Sequence, residues 1–388
     1  MPPRVYLDWN ATTPLRREAR DAMAAASELC GNPSSVHAEG REARRLVEDA
    51  RAVIAAATGA DVRDVIFTSG GTEANALALS PGLRRGTRLP AERLLVSAIE
   101  HASVLAGGGY GADRIERLGV TRDGLVDLDH LSELLAAGPP ALVSIMLANN
   151  ETGAIQPVEE SADIVHRAGG LLHVDAVQVF GKIPFNINQL KADLVSISAH
   201  KLGGPKGAGA LALAAGLSGL EAQLRGGGQE QGLRAGTENV PGILGFAAAA
   251  KAAIATLDED RNRVEKLRDR LETGLRQTRN LRVFSENAPR LPNTTLFSAP
   301  GLKAETAVIG FDLEGIAVSS GSACSSGKVQ PSHVLQAMGF GPELARGAVR
   351  LSLGQTTTEE DIDRAVKAWR KLSGALLKYD DETVLERF

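Results

Sequence analysis

Two residues that follow predicted strands could together hold an aldehyde cofactor. Lys201 comes after an apolar strand at 194–197, and Asp175 ends the strand that begins at Leu171. Pyridoxal phosphate needs a lysine to form a Schiff base and a carboxylate to keep its ring nitrogen protonated, so that the ring accepts electrons. Ligands of α/β sheets bind at the carboxyl ends of strands, where both residues stand. We interpret the pair as a cofactor site, with Lys206 in its Gly-Pro-Lys-Gly turn as a less rigidly mounted alternative.

Two groups of donors near this pair suit a phosphate. Ser196, Ser198 and His200 come shortly before the lysine and supply two hydroxyls and an imidazole. The second group is the strand-to-helix turn Ser-Gly-Gly-Thr-Glu at 69–73, where glycines such as Gly71 expose backbone N–H groups at a helix start. In isolation such a turn is more often an ordinary glycine turn. Next to a site that already requires phosphate, it predicts a phosphate cradle.

His101 follows the predicted strand at 94–99 and is a candidate for proton transfer. A single histidine is more often structural than catalytic. At the carboxyl end of a strand, however, it could stack on a planar cofactor and exchange protons with the substrate. General acid–base catalysis of this kind typically contributes about 10²–10⁴-fold to a rate.

Cys324 is a candidate nucleophile because of its neighbours. The surrounding segment at 319–328, Ser-Ser-Gly-Ser-Ala-Cys-Ser-Ser-Gly-Lys, contains almost only small or flexible residues, whereas a core cysteine has bulky apolar neighbours. The alternative is a surface cysteine without a role. A free thiol has a pKa of about 8.5, so a nucleophilic thiol needs a base or a positive charge nearby. Cys30, at the end of an alanine-rich helical stretch, is interpreted as a packing residue.

Arg350 lies in the apolar strand sequence Gly-Ala-Val-Arg-Leu-Ser-Leu at 347–353. A charge in such a strand needs a partner. A bidentate substrate carboxylate would supply one, and a structural salt bridge is an equally good interpretation.

Composition limits the classes of function. Apolar residues make up 43% of the 388 residues, which is enough for a large core. A net charge of −4 gives no electrostatic case for a nucleic-acid partner. Two cysteines do not make a disulfide framework and fit a reducing cytoplasm. No apolar run is long enough to span a membrane, the N-terminus shows no signal-like region, and no metal site is expected.

Strands alternate with helices along the first two-thirds of the chain. An apolar repeat at i, i+3, i+4 and i+7 predicts a helix at 40–57, with others at 73–79 and 158–168. This alternation favours a mostly parallel sheet covered on both faces. The predicted strands are 65–68, 94–99, 141–147, 171–174, 194–197 and 208–213.

The pattern changes after about residue 240. One long helix is predicted from Gly242 to Arg276, followed by short strands at 281–284 and 294–297. The last helix is predicted to begin at a capping box formed by Thr357 and Glu360. We predict a large domain at 15–260 and a small α+β domain at 1–14 and 261–388, which carries the Cys324 loop at about 319–330.

Taken together, these motifs resemble one known family nearly end to end. The chain is similar to the pyridoxal phosphate-dependent cysteine desulfurases of the NifS/IscS type, members of the class V aminotransferase family. The joint match is highly specific. The matching stretches are 7–14 (Leu-Asp-Trp-Asn-Ala-Thr-Thr-Pro), 31–35, 67–73, 149–153, 173–178, 196–207, 234–239, 319–324 and 350–354.

The resemblance implies a role for each matching residue in cofactor binding. Lys201 would hold the cofactor covalently, Asp175 would pair with its ring nitrogen, and Gln178 would hydrogen-bond its ring hydroxyl. His101 would stack on the ring. The phosphate-binding residues would be Thr72, Ser198, His200 and, from the partner subunit, Thr237.

For the substrate, the resemblance implies that Asn150 and Arg350 hold the carboxylate of L-cysteine. Cys324 would take the sulfur, leaving L-alanine and an enzyme persulfide that passes sulfur to an acceptor, such as a scaffold protein for iron–sulfur clusters. The implied fold is that of fold-type I enzymes: a homodimer whose large domain has a mostly parallel, seven-stranded sheet between helices.

Three alternatives stay open from the sequence. A class V aminotransferase on the same fold has no need for a thiol on a glycine-serine loop. A selenocysteine lyase would prefer the selenium substrate by a wide margin. A sulfur carrier or scaffold without catalysis usually lacks the Schiff-base lysine or the ring acid, and this chain has both Lys201 and Asp175.

Overall fold

The computed structural model describes residues 3–321 and 330–377. The helices are α1 Arg17–Ser27, α2 Ala38–Thr58, α3 Gly71–Ala78, α4 Ala102–Leu105, α5 Leu128–Ala136, α6 Val158–Arg167, α7 Val240–Ala255, α8 Leu257–Leu275, α9 Ala304–Leu313, α10 His333–Ala337, α11 Pro342–Arg346 and α12 Glu359–Leu376. The strands are β1 Val5–Tyr6, β2 Val65–Thr68, β3 Arg84–Arg85, β4 Arg93–Ser97, β5 Ile115–Leu118, β6 Ala141–Met146, β7 Leu171–Asp175, β8 Leu194–Ser198, β9 Gly209–Leu213, β10 Leu217–Ser218, β11 Arg282–Val283, β12 Thr294–Ser298, β13 Ile316–Ala317, β14 Ser319–Ser320 and β15 Val349–Ser352.

A seven-stranded sheet forms the centre of the molecule. Its strand order is β2-β9-β8-β7-β6-β4-β5, and β9 alone runs against the others. The predicted α/β class with a mostly parallel sheet is therefore confirmed. The edge strand β5 was not among the strands predicted from apolar runs. Its sequence Ile-Glu-Arg-Leu is charged and only partly buried, so it carries no apolar signal.

Both faces of the sheet are covered. In β4, Leu95 contributes to the apolar core on one face, whereas Leu94 and Val96 contribute to a separate core on the other. Successive side chains of a strand point to opposite faces, so a strand buried on both sides reads as a continuous apolar run. This is why the predicted strands were visible in the sequence.

The ends of three neighbouring strands bring polar residues together. Met146 at the end of β6 pairs with Asp175 at the end of β7, and Asp175 pairs with Ser196 in β8. Residues that follow these strands therefore lie along one edge of the sheet. Sequence patterns alone predicted this for Asp175 and Lys201, because parallel strands end on the same side.

A second, antiparallel sheet has the order β11-β12-β15-β14. It shares a separate apolar core with α8, α9 and α12, built around Phe297, Phe311 and Trp369. The N-terminal strand β1 pairs in parallel with β13, and Asp8 then bridges to Ser352 of β15. The N-terminal segment thus joins this smaller α+β unit. The domain limits at residues 14 and 260 stay a prediction.

Two helix predictions were wrong in detail. The helix predicted from Gly242 to Arg276 is two helices, α7 and α8, which meet at Thr256 with a bend of 71°. Three acidic residues open α8, and acidic residues favour a helix N-terminus over a helix interior. The capping box of α12 is formed by Thr358 and Asp361, one residue later than predicted.

The prediction for Cys30 was also wrong. The helix α1 ends at Ser27, so Cys30 lies beyond it and is exposed rather than packed. Within residues 3–321 and 330–377, no single helix is long and apolar enough to cross a membrane, and only the bent pair of α7 and α8 has the required length and composition together.

Candidate active site

A cavity of about 300 Å³ lies at the carboxyl ends of β6, β7 and β8. Residues of the unit built on the seven-stranded sheet and residues of the smaller α+β unit both contribute to its wall. The predicted cofactor and substrate residues that line it are Gly71, Thr72, His101, Asn150, Asp175, Gln178, Ser198, His200, Lys201 and Arg350. The fold therefore brings these separated residues together, and what each of them does stays a prediction.

Lys201 ends the short turn Ala199–Lys201 that follows β8. Its Nζ donates hydrogen bonds to the carbonyl oxygens of Asn10 at 2.6 Å and Ala11 at 2.9 Å. Lys206 lines a different groove, on the outside of the N-terminal segment, and is not part of the cavity wall. The geometry therefore favours Lys201 over Lys206 as the Schiff-base residue.

Hydrogen bonds connect Asp175 to His101 through two intervening side chains. Asn75 donates from Nδ2 to Oδ2 of Asp175 at 2.8 Å and to Oγ of Ser103 at 2.9 Å. Oγ of Ser103 lies 2.8 Å from Nδ1 of His101. The other oxygen of Asp175 accepts the backbone N–H of Val177 at 2.9 Å. Two donors thus fix the carboxylate, which is only 6% exposed.

The backbone near His101 determines which ring nitrogen carries the proton. The backbone N–H of Ser103 points at Nδ1 from 3.2 Å. An N–H group only donates, so Nδ1 accepts, and the neutral ring carries its proton on Nε2. Nε2 is then the atom through which His101 can exchange a proton with a substrate.

One part of the cavity wall, called the phosphate end below, has the donors that a phosphate requires. Gly71 and Thr72 form the first turn of α3, where backbone N–H groups have no partner within the helix. Gly70, which precedes the helix, has φ 156° and ψ −179°, a conformation open almost only to glycine. Ser198 and His200 complete this end. Burial, followed by the charges of Lys201 and Lys206, lowers the pKa of His200 to about 4, so His200 is neutral at pH 7.

Arg350 is buried in β15 and faces the cavity. Its Nη2 pairs with Oδ1 of Asp8 at 2.8 Å, and its Nη1 donates to the carbonyl oxygen of Asn150 at 3.0 Å. Its Nε is buried and has no hydrogen-bond partner in the described part of the chain. The arginine therefore has the structural partner that one interpretation required, and its binding of a substrate carboxylate stays a prediction.

Asn10 was quoted from the sequence only as part of a motif, and the structure places it at the centre of the site. Its carbonyl oxygen accepts from Lys201 and, at 3.0 Å, from Nε2 of Gln178. Its Nδ2 donates to the carbonyl oxygen of Asn150 at 3.2 Å and to Oγ1 of Thr294 at 2.8 Å. The N-terminal segment thereby ties the lysine to the opposite wall of the cavity.

Other contributors to the site were not identified from the sequence at all. Asn75 and Ser103 line the cavity and form the connection between Asp175 and His101. Ser103 lies two residues after His101, a position from which a serine commonly bonds a preceding side chain, so this spacing was an available signal. Asn75 is a polar residue on the otherwise apolar side of α3, which is a weaker signal.

Glu100 is a buried acid next to this site. Its Oε1 accepts the backbone N–H of Met146 at 2.6 Å, and its Oε2 has no hydrogen-bond partner among the described residues. Burial first, and then the charge of Asp175, raise the pKa of Glu100 well above its usual value. Burial therefore favours the neutral carboxylic acid form of Glu100.

Two predicted site residues are not part of this cavity wall. Thr237 is exposed in this chain and lies outside the wall, and a contribution to a partner's site stays a prediction. Cys324 falls within 322–329, outside the residues that the structure describes. Within the described ranges, no group of three or more histidine, cysteine, aspartate or glutamate side chains is arranged to hold a metal ion.

The donor set of the cavity fits pyridoxal phosphate. An amine at Lys201 suits its aldehyde, and a buried carboxylate at Asp175 suits a protonated ring nitrogen. The N-terminus of α3 and the hydroxyl of Ser198 suit its phosphate. Each group has a counterpart in the cavity wall, so the residues present agree with the cofactor predicted from the sequence.

Comparison with known proteins identifies relatives along nearly the whole chain. The Aminotransferase class-V family matches residues 5–365. The cysteine desulfurase IscS of Dictyoglomus turgidum is 42% identical over 368 residues, 92% of each chain. A cysteine desulfurase of Cereibacter sphaeroides is 44% identical over 372 residues, 94% of each chain.

Solved structures agree with these relatives. A NifS-like protein from Rickettsia africae superposes with a TM-score of 0.85 at 38% identity, covering 96% of this chain and 99% of that protein. The protein SspA in complex with cysteine gives a TM-score of 0.74 at 28% identity, with coverages of 91% and 100%. These matches confirm the resemblance found in the sequence: the chain belongs to the class-V aminotransferase family and, within it, to the cysteine desulfurases.

Proposed function

We propose that this protein converts L-cysteine to L-alanine and transfers the sulfur to Cys324. The observation that carries the proposal is the convergence of Lys201, Asp175, His101 and Arg350 on one cavity of about 300 Å³. An amine, a ring acid, a proton carrier and a carboxylate receptor are what desulfuration of an amino acid requires. The solved relative with bound cysteine supports an amino acid of this size as the substrate.

The proposed binding mode uses the two ends of the cavity. Lys201, Asp175 and Gln178 would hold the ring of pyridoxal phosphate, while Gly71, Thr72, Ser198 and His200 would hold its phosphate. Once bound, the cofactor supplies an electron sink that stabilises negative charge on the substrate. All other steps depend on side chains of this chain.

Arg350 and Asn150 would orient the substrate. Arg350 lines the cavity while its Nη2 pairs with Asp8, so a substrate carboxylate would bind to the guanidinium beside this existing ion pair. Hydrogen bonds to a charged group contribute about 1.5–3 kcal/mol each. Fixing the carboxylate at this end places the amino group and the sulfur toward Lys201 and His101.

His101 would hold and move protons at Nε2. Its other ring nitrogen accepts from the Ser103 backbone N–H, so the ring cannot rotate freely, and Nε2 stays aimed in one direction. Burial lowers the pKa of neighbouring His333, whose Nε2 contacts the carbonyl oxygen of Glu100. That histidine is therefore neutral and adds no charge beside His101.

The thiolate of Cys324 would attack the sulfur of the bound substrate. A bond forms between the two sulfur atoms, the carbon–sulfur bond of the substrate breaks, and its electron pair remains with carbon, which takes a proton. The products are L-alanine and a persulfide on Cys324, so atoms and electrons balance without an added oxidant. Release of the sulfur requires a thiol or a protein acceptor, for which we propose a scaffold of iron–sulfur cluster assembly.

We also propose that the protein works as a homodimer in the cytoplasm. Thr237 is exposed at a loop before α7, a location from which it can reach a partner's phosphate site. The residues of this chain at the phosphate end of the cavity include Gly71 and Thr72 in the first turn of α3. A residue from a second subunit would complete this end.

The test is alanine formation from L-cysteine by the full-length protein with dithiothreitol as the sulfur acceptor. Wild type is compared with Cys324→Ala and with Cys30→Ala, the matched control at the other, exposed cysteine. We expect alanine from wild type and Cys30→Ala and almost none from Cys324→Ala. Equal alanine from all three proteins would remove Cys324 from carbon–sulfur cleavage.

The same assay separates the alternatives on this fold. An aminotransferase would convert an amino acid to a keto acid and would be unaffected by Cys324→Ala. A selenocysteine lyase would prefer selenocysteine strongly in direct competition. Borohydride reduction followed by peptide mapping adds an independent test, because the label is expected at Lys201 and not at Lys206.

A further inference from the structure

Lys182 places a second ammonium group behind the candidate active site. It follows Gln178 by four residues and does not itself line the cavity. Its Nζ donates to Oε1 of Gln178 at 2.9 Å and to Oδ1 of Asn10 at 2.8 Å. These two residues in turn contact Lys201 and the cavity, so Lys182 lies one layer behind the residues predicted to bind cofactor.

Nζ of Lys182 donates to the side-chain oxygens of both Gln178 and Asn10, and these two hydrogen bonds fix which way each amide points. The contact with Lys182 turns Oε1 of Gln178 away from the cavity, so that Nε2 is left to donate to the carbonyl oxygen of Asn10 at 3.0 Å. Without the ammonium, the amide could rotate by 180° and offer an acceptor in place of a donor. The contact therefore determines which hydrogen-bonding group Gln178 presents to a ligand.

The same argument applies to Asn10. Its Oδ1 accepts from Lys182 and, at 3.0 Å, from Nδ2 of Asn293. Its Nδ2 is then directed to Thr294 and to the carbonyl oxygen of Asn150. This arrangement holds the backbone of Asn10, whose carbonyl oxygen accepts from the ammonium of Lys201.

The location is an unfavourable one for a lysine. Its side-chain hydrogen-bond partners among the described residues, Gln178 and Asn10, are neutral amides. Burial, and after it the charges of Lys201 and Arg350, lower the pKa of Lys182 well below its usual value. Among the described residues no ion pair with a carboxylate is found for Lys182, so this lysine gains no stability of that kind there, which points to a role in the site rather than in folding.

We propose that Lys182 is a positioning residue for the cofactor site, which orients the amide of Gln178 and the backbone of Asn10 for ligand binding. The inference rests on the proposed function, since it assumes that Gln178 contacts pyridoxal phosphate. It predicts that Lys182 affects cofactor binding mainly through Gln178.

The experiment is a double-mutant cycle on the full-length protein with Lys182→Met, Gln178→Ala and the double variant. Methionine has nearly the length of lysine and lacks the ammonium. Lys371→Met is the matched control, because Lys371 is exposed on α12 and pairs with Glu314 on the surface. Pyridoxal phosphate is titrated into cofactor-depleted protein, and the dissociation constant and the position of the visible absorbance band are measured.

We expect Lys182→Met to weaken cofactor binding about tenfold, the effect of losing one well-placed hydrogen bond. In the Gln178→Ala background the same change should have less than about a twofold effect, since neighbours that act together are not additive. Both single variants should shift the absorbance band in the same direction. Lys371→Met should behave as wild type.

An equal loss in both backgrounds, or no loss in either, would overturn the inference. Lys182→Met leaves two amide oxygens without this donor, so thermal melting checks that each variant still folds. If Lys182→Met does not fold, Lys182→Leu provides the same cycle with a different shape. A wild-type protein that binds no pyridoxal phosphate would instead refute the proposed function itself, so the two failures are distinguishable.

Discussion

Asp8 and Arg350 form an ion pair of 2.8 Å across 342 positions of sequence. The arginine is buried, with a side chain that is 3% exposed, whereas the aspartate side chain is 20% exposed. The N-terminal segment thus supplies the counter-ion for a cation that faces the cavity. This pair fixes the orientation of the Arg350 side chain before any substrate arrives.

The first prediction concerns Arg350. Arg350→Ala removes the guanidinium that we propose binds the substrate carboxylate, so KM for L-cysteine should rise by about 10²-fold, as expected for two hydrogen bonds to a charged group. Cofactor affinity should change little, since Arg350 contacts Asn150 and Asp8 rather than the phosphate end. Steady-state alanine formation over a range of L-cysteine concentrations measures the effect. An unchanged KM would contradict the assignment, and Arg370→Ala, at an exposed arginine of α12, is the control.

The second prediction concerns Asp175. Asp175→Asn removes the negative charge proposed to keep the ring nitrogen protonated, and kcat should fall by about 10²–10³-fold, the usual cost of losing an electrostatic contact at a reacting centre. Asn75→Ala removes only the amide that donates to Asp175 and should cost about tenfold or less.

Single-turnover alanine formation at equal cofactor content separates these variants from a loss of cofactor. Asp163→Asn serves as the control, because Asp163 is a surface residue paired with Lys191. Full turnover by Asp175→Asn with bound cofactor would show that the carboxylate is not required.

The third prediction concerns pH and Glu100. Burial raises the pKa of Glu100 in the folded protein, so at pH values above about 4.5 the unfolded chain releases a proton that the folded protein retains. The free energy of unfolding therefore falls as the pH rises toward the pKa that Glu100 has in the folded protein. Glu100→Gln cannot ionise and lacks this penalty, so the variant should gain stability relative to wild type by about 1.4 kcal/mol per pH unit across that window.

Urea unfolding at pH 4.5, 6 and 8 measures the difference between Glu100→Gln and wild type. The amide introduced by Glu100→Gln has a free-energy cost of burial that does not depend on pH, so this cost cancels when stabilities at different pH values are compared. A difference that does not grow with pH would mean that Glu100 is ionised in the folded protein. Glu160→Gln, at an exposed position of α6, is expected to show no such trend.

The fourth prediction concerns the assembly. If Thr237 reaches the phosphate site of a second subunit, Thr237→Ala should weaken cofactor retention by about tenfold. A mixed dimer of one Lys201→Ala subunit and one Thr237→Ala subunit places both defects in the same site, and the other site is intact. Such mixtures should therefore retain up to half of the wild-type activity per dimer.

Sedimentation and activity of the mixed sample check this prediction. If each site were instead built from one chain alone, the mixed dimer would have no intact site. One subunit would be inactive through Lys201→Ala, and the other would be weakened through Thr237→Ala. A fully active monomer would contradict the shared site altogether.

Local patterns in the sequence were sufficient to predict the main sheet and much of the candidate site. Buried strands read as apolar runs, and Asp175, Lys201 and His101 follow such runs directly. Parallel strands end at one edge of the sheet, so the convergence of these residues follows from their order alone. Elements whose sequence is charged or whose ends depend on packing, such as β5 and the break at Thr256, were missed.

Only the tertiary structure showed how the site is held. Asn10, Lys182 and Asn75 have no distinctive local pattern, and their roles depend on contacts such as the one between Asn75 and Asp175, 100 positions apart. The sequence by itself determined the chemical groups and the strands that carry them, because periodicity and strand order are local properties. The tertiary structure decided which donors meet which acceptors, since hydrogen bonding between distant segments depends on packing and register that no local pattern encodes.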